Sequence, residues 1–398
     1  MPAFVTDLIV VGAGTMGAWT ALRARRGGRD TLLVDAYGAG NPRATSGDET
    51  RIIRASHGAD NYYTRWSRQA RQAWIELGDE TGEEIFVEAG ALWFAHREDG
   101  FEAASYSTLS AEGIPVERLD PPAIEARWPV VSAGDLAFAV FEPEGGVLMA
   151  RRGVAAVVRA FERAGGEFAL ASTSVGRHEG RRLLDVVDAT GRRFTADEFV
   201  FACGPWLPRL FPEVVGDLIR VTKQDVLFMG PPGGDERFGS DHLPSWVDYD
   251  AAFYGVPGVD GRGPKVAPDR YGPVFDPSLG DRIVDPESVR LTRAFVARRF
   301  PGLANQPIIE TRVCQYETTP DTHFVIDRHP DYDNVWLVGG GSGHGFKHGP
   351  MIGRHVVSLL DGAAPSEDET RFAIDRPRQP TTGMRTSGDS IVTSWEGY

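Results

Sequence analysis

Cysteine is nearly missing from this 398-residue chain: Cys203 and Cys314 are the only two, which excludes a disulfide framework and any four-cysteine metal site. Each thiol has to be explained singly. Lysine is almost as scarce, since among the 42 basic residues only Lys223, Lys265 and Lys347 are lysine and the rest are arginine. A lysine kept against that bias is informative, because the two side chains differ in shape and hydration. No stretch approaches the about 18 to 20 continuous apolar residues of a membrane span. No membrane partner is expected. The formal charge of -14 argues against nucleic acid as well, whose binding draws on clustered cations facing phosphates. The start, Met1-Pro2-Ala3-Phe4-Val5-Thr6-Asp7, lacks the basic residues and cleavable apolar region of a secretory signal, which points to the cytoplasm.

What is present suits a large soluble enzyme, with 41% hydrophobic and 25% charged residues and enough length for two interlocked domains. Asp7-Leu8-Ile9-Val10-Val11 reads as a buried strand, Met16 to Arg26 as a helix and Thr31 to Val34 as a second strand. Between the first two lies Gly12-Ala13-Gly14-Thr15-Met16-Gly17, a G-x-G-x-x-G match, and Asp35 closes the second strand. The first glycine permits a tight turn, the second lets backbone approach a pyrophosphate, and the third lets helix pack on strand. The helix start supplies N–H groups and a positive dipole to the phosphates, and Asp35 accepts hydrogen bonds from ribose hydroxyls. This is a dinucleotide site. The motif alone does not separate NAD from FAD, because both carry the same ADP half.

Tyr63, Trp66, Ala70, Trp74 and Leu77 recur at three- and four-residue steps, the packing face of a helix. Glu198 to Ala202 runs into Cys203-Gly204-Pro205-Trp206, and Val335 to Val338 into Gly339-Gly340-Gly341. Apolar strands ending in glycine suggest a cofactor at their carboxyl ends. From about Gly230 to Pro286 the chain is rich in Gly, Pro and Asp and reads as long loops walling a substrate pocket. Met351 to Leu360 is helix-like, and beyond it a polar tail, residues 363–398, is expected to be peripheral or partly disordered.

Gly47-Asp48-Glu49-Thr50-Arg51-Ile52-Ile53-Arg54, Val313-Cys314-Gln315-Tyr316 and Gly341-Ser342-Gly343-His344-Gly345-Phe346-Lys347 together resemble the monomeric sarcosine oxidase and N-methyltryptophan oxidase family, flavoproteins related to D-amino-acid oxidase. The likeness extends from Asp7 to about Leu360 and includes Phe141-Glu142-Pro143. It implies FAD, bound covalently by a thioether from Cys314, whereas Cys203 reads as core. It implies that Arg51 lies beside the flavin ring, that Arg54 and Lys347 hold a substrate carboxylate, and that Lys265 promotes reaction with oxygen. A guanidinium fork suits the carboxylate, giving both charge and orientation. Tyr254 and Tyr316 join the catalytic set. The cofactor set comprises Gly12, Gly14, Thr15, Met16, Gly17, Asp35, Ala36, Ser46, Thr50, Arg51, Val175, Gly204, Trp206, Cys314 and the run Gly341, Ser342, Gly343, His344, Gly345, Phe346, Lys347. One position departs from the family: Asp269 stands where it shows a histidine, so either it lines the pocket and alters substrate choice or it faces solvent.

The resemblance implies an α/β fold, with a Rossmann-like FAD domain built from residues 1–90, 150–220 and 310–362. A mostly antiparallel substrate domain takes residues 91–149 and 221–309. The activity implied is oxidation of the C–N bond of a secondary amino acid (N-methyl, N-alkyl or cyclic) to an imine, with O2 reduced to H2O2, by a monomer that needs no metal. Alternatives are a flavin-dependent dehydrogenase or demethylase with another electron acceptor, and a primary-amine or D-amino-acid oxidase.

Overall fold

The apolar runs at the start of the chain pair with one another. In the computed structural model, which describes residues 4–377, strand Phe4–Val11 lies between Thr31–Asp35 and Arg193–Phe201, parallel to both, and Val335–Gly339 pairs parallel with the latter. Leu8, Ile9, Val10, Leu32, Leu33, Phe199, Val200 and Leu337 are fully buried, as expected for parallel strands covered on both faces. Helices Thr15–Arg26 and Gly349–Leu360 cover one face, packing Ala18, Trp19 and Leu22 with Ile352 and Val356 in one core cluster. Helix Asn61–Thr81 begins where the Asp60 side chain accepts from Tyr63 N–H and ends at left-handed Gly82. Its stripe is packing, as expected: Trp74 meets Trp19 edge-on at 5.1 Å between ring centroids and stacks on Phe346 at 5.5 Å.

A second eight-stranded sheet contains one parallel pair, Ala91–Ala95 with Ser245–Asp248, and is otherwise antiparallel. A three-stranded sheet, Thr50–Ile53, Gly146–Met149 and Phe86–Val87, completes the site side of the fold. This is the expected α/β architecture, with three local differences. The stretch read as loops contributes three strands to the middle of the second sheet, Ser245–Asp248, Phe253–Val256 and Lys265–Pro268. Each has four mostly buried residues beside Pro or Gly, too short and too uniformly covered to show alternation. Ile308–Thr318, placed by sequence with the cofactor domain, pairs along its length with Arg220–Met229, so Cys314 and Tyr316 ride on the second sheet. Within the supposed tail, Phe372 is fully buried against Tyr62, Trp66 and Phe324, and Arg376 pairs with Asp321 at 2.6 Å. The aromatic stripe supplies a partner that the tail's polar composition conceals. Residues 378–398 lie outside the described residues. Among the described residues no helix is long and apolar enough to cross a membrane.

Candidate active site

The glycine fingerprint builds the turn expected of it. Gly12 has φ +108°, and a Cβ there would fall 2.3 Å from the Ala202 carbonyl oxygen; a Cβ on Gly17 would fall 1.9 Å from the Gly12 oxygen. No side chain fits at either position. Asp35 Oδ2 accepts from Ala13 N–H at 2.7 Å, while Oδ1 accepts from Tyr37 and Gly38 N–H at 2.7 and 2.8 Å. The helix that starts at Thr15 has no side-chain cap at Gly14, although Thr15 N–H donates to Ser46 Oγ at 3.1 Å. Its positive end is thus left to a ligand.

That end opens into a cavity of about 480 Å³ running from Gly12, Gly14 and Asp35 to Cys314, Tyr316 and Lys347. The cavity also takes in Thr15, Met16, Ala36, Ser46, Arg51, Arg54, Gly204, Trp206, Tyr254, Asp269, Gly341, Gly343, His344, Gly345 and Phe346. Five residues of the expected set lie outside its lining. Gly17 packs helix on turn. Thr50 contributes its carbonyl, and Val175 joins the apolar cluster beneath the first sheet, two residues beyond lining residue Thr173. Ser342, at φ +47°, ties the glycine loop down: its Oγ accepts from Thr319 N–H at 3.2 Å and donates to the Gly340 carbonyl at 2.9 Å. Lys265 is buried behind the wall.

Lys265 Nζ donates to Asp48 Oδ2 at 3.0 Å and to the Thr50 carbonyl at 2.7 Å. The same carboxylate oxygen accepts from Arg51 Nη1 at 2.9 Å. Burial pushes the Asp48 carboxyl up, but the facing charges of Lys265 and Arg51 win and hold it well below the usual carboxylate range. Burial also lowers Lys265, with Asp48 opposing. Nothing local to Asp48 in the sequence reveals this pairing, because its partner lies 217 positions away.

Arg51 also donates to the Thr45 carbonyl at 2.6 Å and reaches Cys314 Sγ at 3.4 Å. A fixed positive charge against sulfur is the setting that reactive cysteines share. Cys203 differs: it sits against the Val11 carbonyl, and burial, then Asp35 and Glu317, push its thiol up. That agrees with a core reading, although its side chain also borders the cavity.

On the far side, Arg54 stacks over Trp93 with its guanidinium carbon 4.8 Å from the ring centroid, and it donates to the Ser56 carbonyl. Glu142 sets this segment by accepting from Ala55 N–H at 2.6 Å, from Ser56 N–H and Oγ, and from Trp93 Nε1 at 3.1 Å. The Phe141-Glu142-Pro143 run therefore has a physical role in positioning Arg54. Lys347, buried, donates to the His344 carbonyl at 3.3 Å. Tyr316 hydroxyl donates to Asp269 Oδ1 at 3.0 Å, which places Asp269 in the pocket rather than in solvent. Trp93 and Val247, in strands, and Tyr249, in the turn after Asp248, also line the wall and carry no sequence signal beyond that of core positions. Burial pushes Tyr254 up, so its phenol is neutral, and pushes Glu317 beside the glycine loop up to about 8. Burial first, then nearby Arg54 or Lys347, holds His57 and His348 well below the ordinary imidazole value.

These residues fit FAD. The fingerprint, Asp35 and the open helix start suit its ADP half, Glu317 Oε2 and Thr45 Oγ1 are buried without hydrogen-bond partners, and Cys314 stands at the other end of the same cavity. Residues 7–359 match the family model DAO, FAD dependent oxidoreductase. The chain is 30% identical over 388 residues to monomeric sarcosine oxidase of Bacillus sp. (strain B-0618), covering 96% of this chain and 98% of that one. It is 27% identical to N-methyl-L-tryptophan oxidase of Citrobacter koseri, over 93% and 98% of the two chains. The fold is shared with L-proline dehydrogenase from P. horikoshii, with TM-score 0.81 and 18% identity over 94% of this chain and 98% of that one. A glycine turn, an open helix end and a cationic pocket on one cavity thus agree with the comparisons: the chain belongs to the DAO family of FAD dependent oxidoreductases and is an enzyme of the sarcosine oxidase type.

Proposed function

We propose that the protein oxidises the C–N bond of a secondary amino acid, N-methyl, N-alkyl or cyclic, to an imine, and returns the electrons to O2 as H2O2. The observation that carries this reading is the convergence of Arg54 and Lys347 on the cavity that also holds the dinucleotide fingerprint and Cys314. When bound, FAD supplies the electron-pair acceptor for the amine and the donor for oxygen. Arg54 and Lys347 bind the carboxylate and so fix the Cα–N bond in one orientation. Trp93, Tyr249, Tyr254 and Tyr316 exclude water and favour the neutral amine, which alone can release its electron pair. In the same reading FAD is attached through Cys314 and the enzyme works as a cytoplasmic monomer, a state named for the Bacillus relative.

Asp269 narrows the substrate. A buried carboxylate bonded to Tyr316 favours a substrate with a further hydrogen-bond donor or cation within reach. Peroxide release across sarcosine, pipecolate and larger N-alkyl amino acids tests the reading, and Asp269→Asn should change the ratios of kcat/KM between substrates by about tenfold. Peroxide from none of them would overturn the oxidase assignment, and uniform small effects would remove Asp269 from substrate selection.

Lys265 is expected to act after the amine has been oxidised, its charge favouring electron transfer to oxygen. Lys265→Met should slow aerobic reoxidation in stopped flow by about 100-fold while changing anaerobic reduction only severalfold. One observation favours a second reading, an acceptor other than oxygen: Lys265 gives two of its three donors to Asp48 and Thr50 behind the cavity wall. Unchanged reoxidation in the variant would support it.

A further inference from the structure

Three histidines meet behind the wall that carries Lys347. His57 follows Arg54 on the turn after strand Thr50–Ile53, His344 belongs to the glycine loop, and His348 leads into helix Gly349–Leu360. All are buried, and one ring nitrogen from each lies within 4.8 Å of those of the other two.

Their hydrogen bonds sort the nitrogens. His57 Nδ1 is 3.0 Å from the Ala55 carbonyl, to which it can only donate, so the lone pair is at Nε2, and that atom is buried without a partner. His344 Nε2 is 3.0 Å from the Thr322 carbonyl and donates in the same way, which puts its lone pair at Nδ1. Neither ring nitrogen of His348 has a hydrogen-bond partner. A metal-bound histidine characteristically donates its other N–H to a backbone carbonyl, the arrangement seen at His57 and His344. Ring packing is the competing explanation, and it is present, since His57 stacks on Tyr63 at 5.5 Å. Packing satisfies the ring faces and leaves three buried nitrogens on His57 and His348 unpaired, an unmet desolvation penalty at each.

The spacing is close to that of a three-histidine metal centre. Zn–N bonds of about 2.0–2.1 Å at tetrahedral angles put the nitrogens about 3.4 Å apart, so small rotations of the rings would suffice. Their centroids already stand 5.3, 5.9 and 6.1 Å apart. We propose that His57, His344 and His348 form a site for a divalent first-row transition ion, Zn2+ being the one committed to. With no carboxylate among the ligands, hard oxygen-seeking ions such as Mg2+ and Ca2+ are disfavoured, whereas imidazole-preferring ions are not; the nearby charges of Arg54 and Lys347 weaken the binding of any divalent ion alike. The ion would be structural, and no electron passes through it. It would clamp the turn after Arg54 to the loop that carries Lys347.

The holoenzyme, stripped with a chelator and desalted, tests this when it is titrated with Zn2+ and with Co2+ as a spectroscopic probe. The parent should bind one equivalent of metal per chain and show the ligand-field bands of four-coordinate Co2+. His57→Gln and His348→Leu should each weaken binding by about 100-fold or more, with the flavin absorbance retained as evidence of folding. A parent that binds no metal would overturn the proposal, as would folded variants that keep the parent's metal content and Co2+ spectrum.

Discussion

Arg54→Met is expected to lower kcat/KM for carboxylate-bearing amines by about 30- to 300-fold. The guanidinium lies on a buried aromatic wall, over Trp93, where water competes poorly for a carboxylate. Losing one partner of such a charge pair costs about 2–5 kcal/mol, and each 1.4 kcal/mol is a factor of ten. Because Lys347 remains, the lower part of that span applies. Arg54→Lys should recover only part of the loss, since an ammonium keeps the charge and loses the planar fork. The discriminating control is the methyl ester of the same substrate, whose turnover should fall far less. An equal fall for acid and ester would mean that Arg54 acts only by packing on Trp93 and tying down Ser56.

The second large effect is all-or-none. Acid-precipitated protein should remain yellow after denaturation, and Cys314→Ser should release all its flavin under the same treatment. Cys314 is one of two thiols bordering the cavity, yet only its sulfur faces a guanidinium, at 3.4 Å from Arg51, whereas Cys203 is held as a buried thiol against the Val11 carbonyl. Arg51 serves two demands at once, through Asp48 on one side and the sulfur on the other. Yellow supernatant and colourless pellet from the parent would rule out attachment at Cys314. A variant that still held flavin covalently would move the bond to another residue.

What could be read from the chain was local. The strand, glycine turn and helix from Asp7 to Arg26 are contiguous, so their pattern shows in one window, and their ends fall within a few residues of the observed elements. The same holds for the stripe from Tyr63 to Leu77. What stayed hidden depends on distance along the chain. Asp48 gains its meaning from Lys265, and Glu142 from Ala55, Ser56 and Trp93, none of which a window could join. The strands of residues 245–268 are too short and too evenly buried to alternate, and Phe372 is drawn in by aromatic residues some 300 positions earlier. Residue types carried the resemblance to the family, but they could not tell that Lys265 points behind the wall while Asp269 faces the cavity.

The central claim is that an amino-acid carboxylate, held by Arg54 and Lys347, presents its amine for oxidation in the FAD cavity. Anaerobic titration of the purified holoenzyme tests it without any assumption about the electron acceptor. An N-alkyl or cyclic amino acid should abolish the visible flavin absorbance at one equivalent per chain, and its methyl ester should do so at least about 100-fold more slowly. Absorbance that survives every such acid, or that is lost equally fast with acid and ester, would contradict the account.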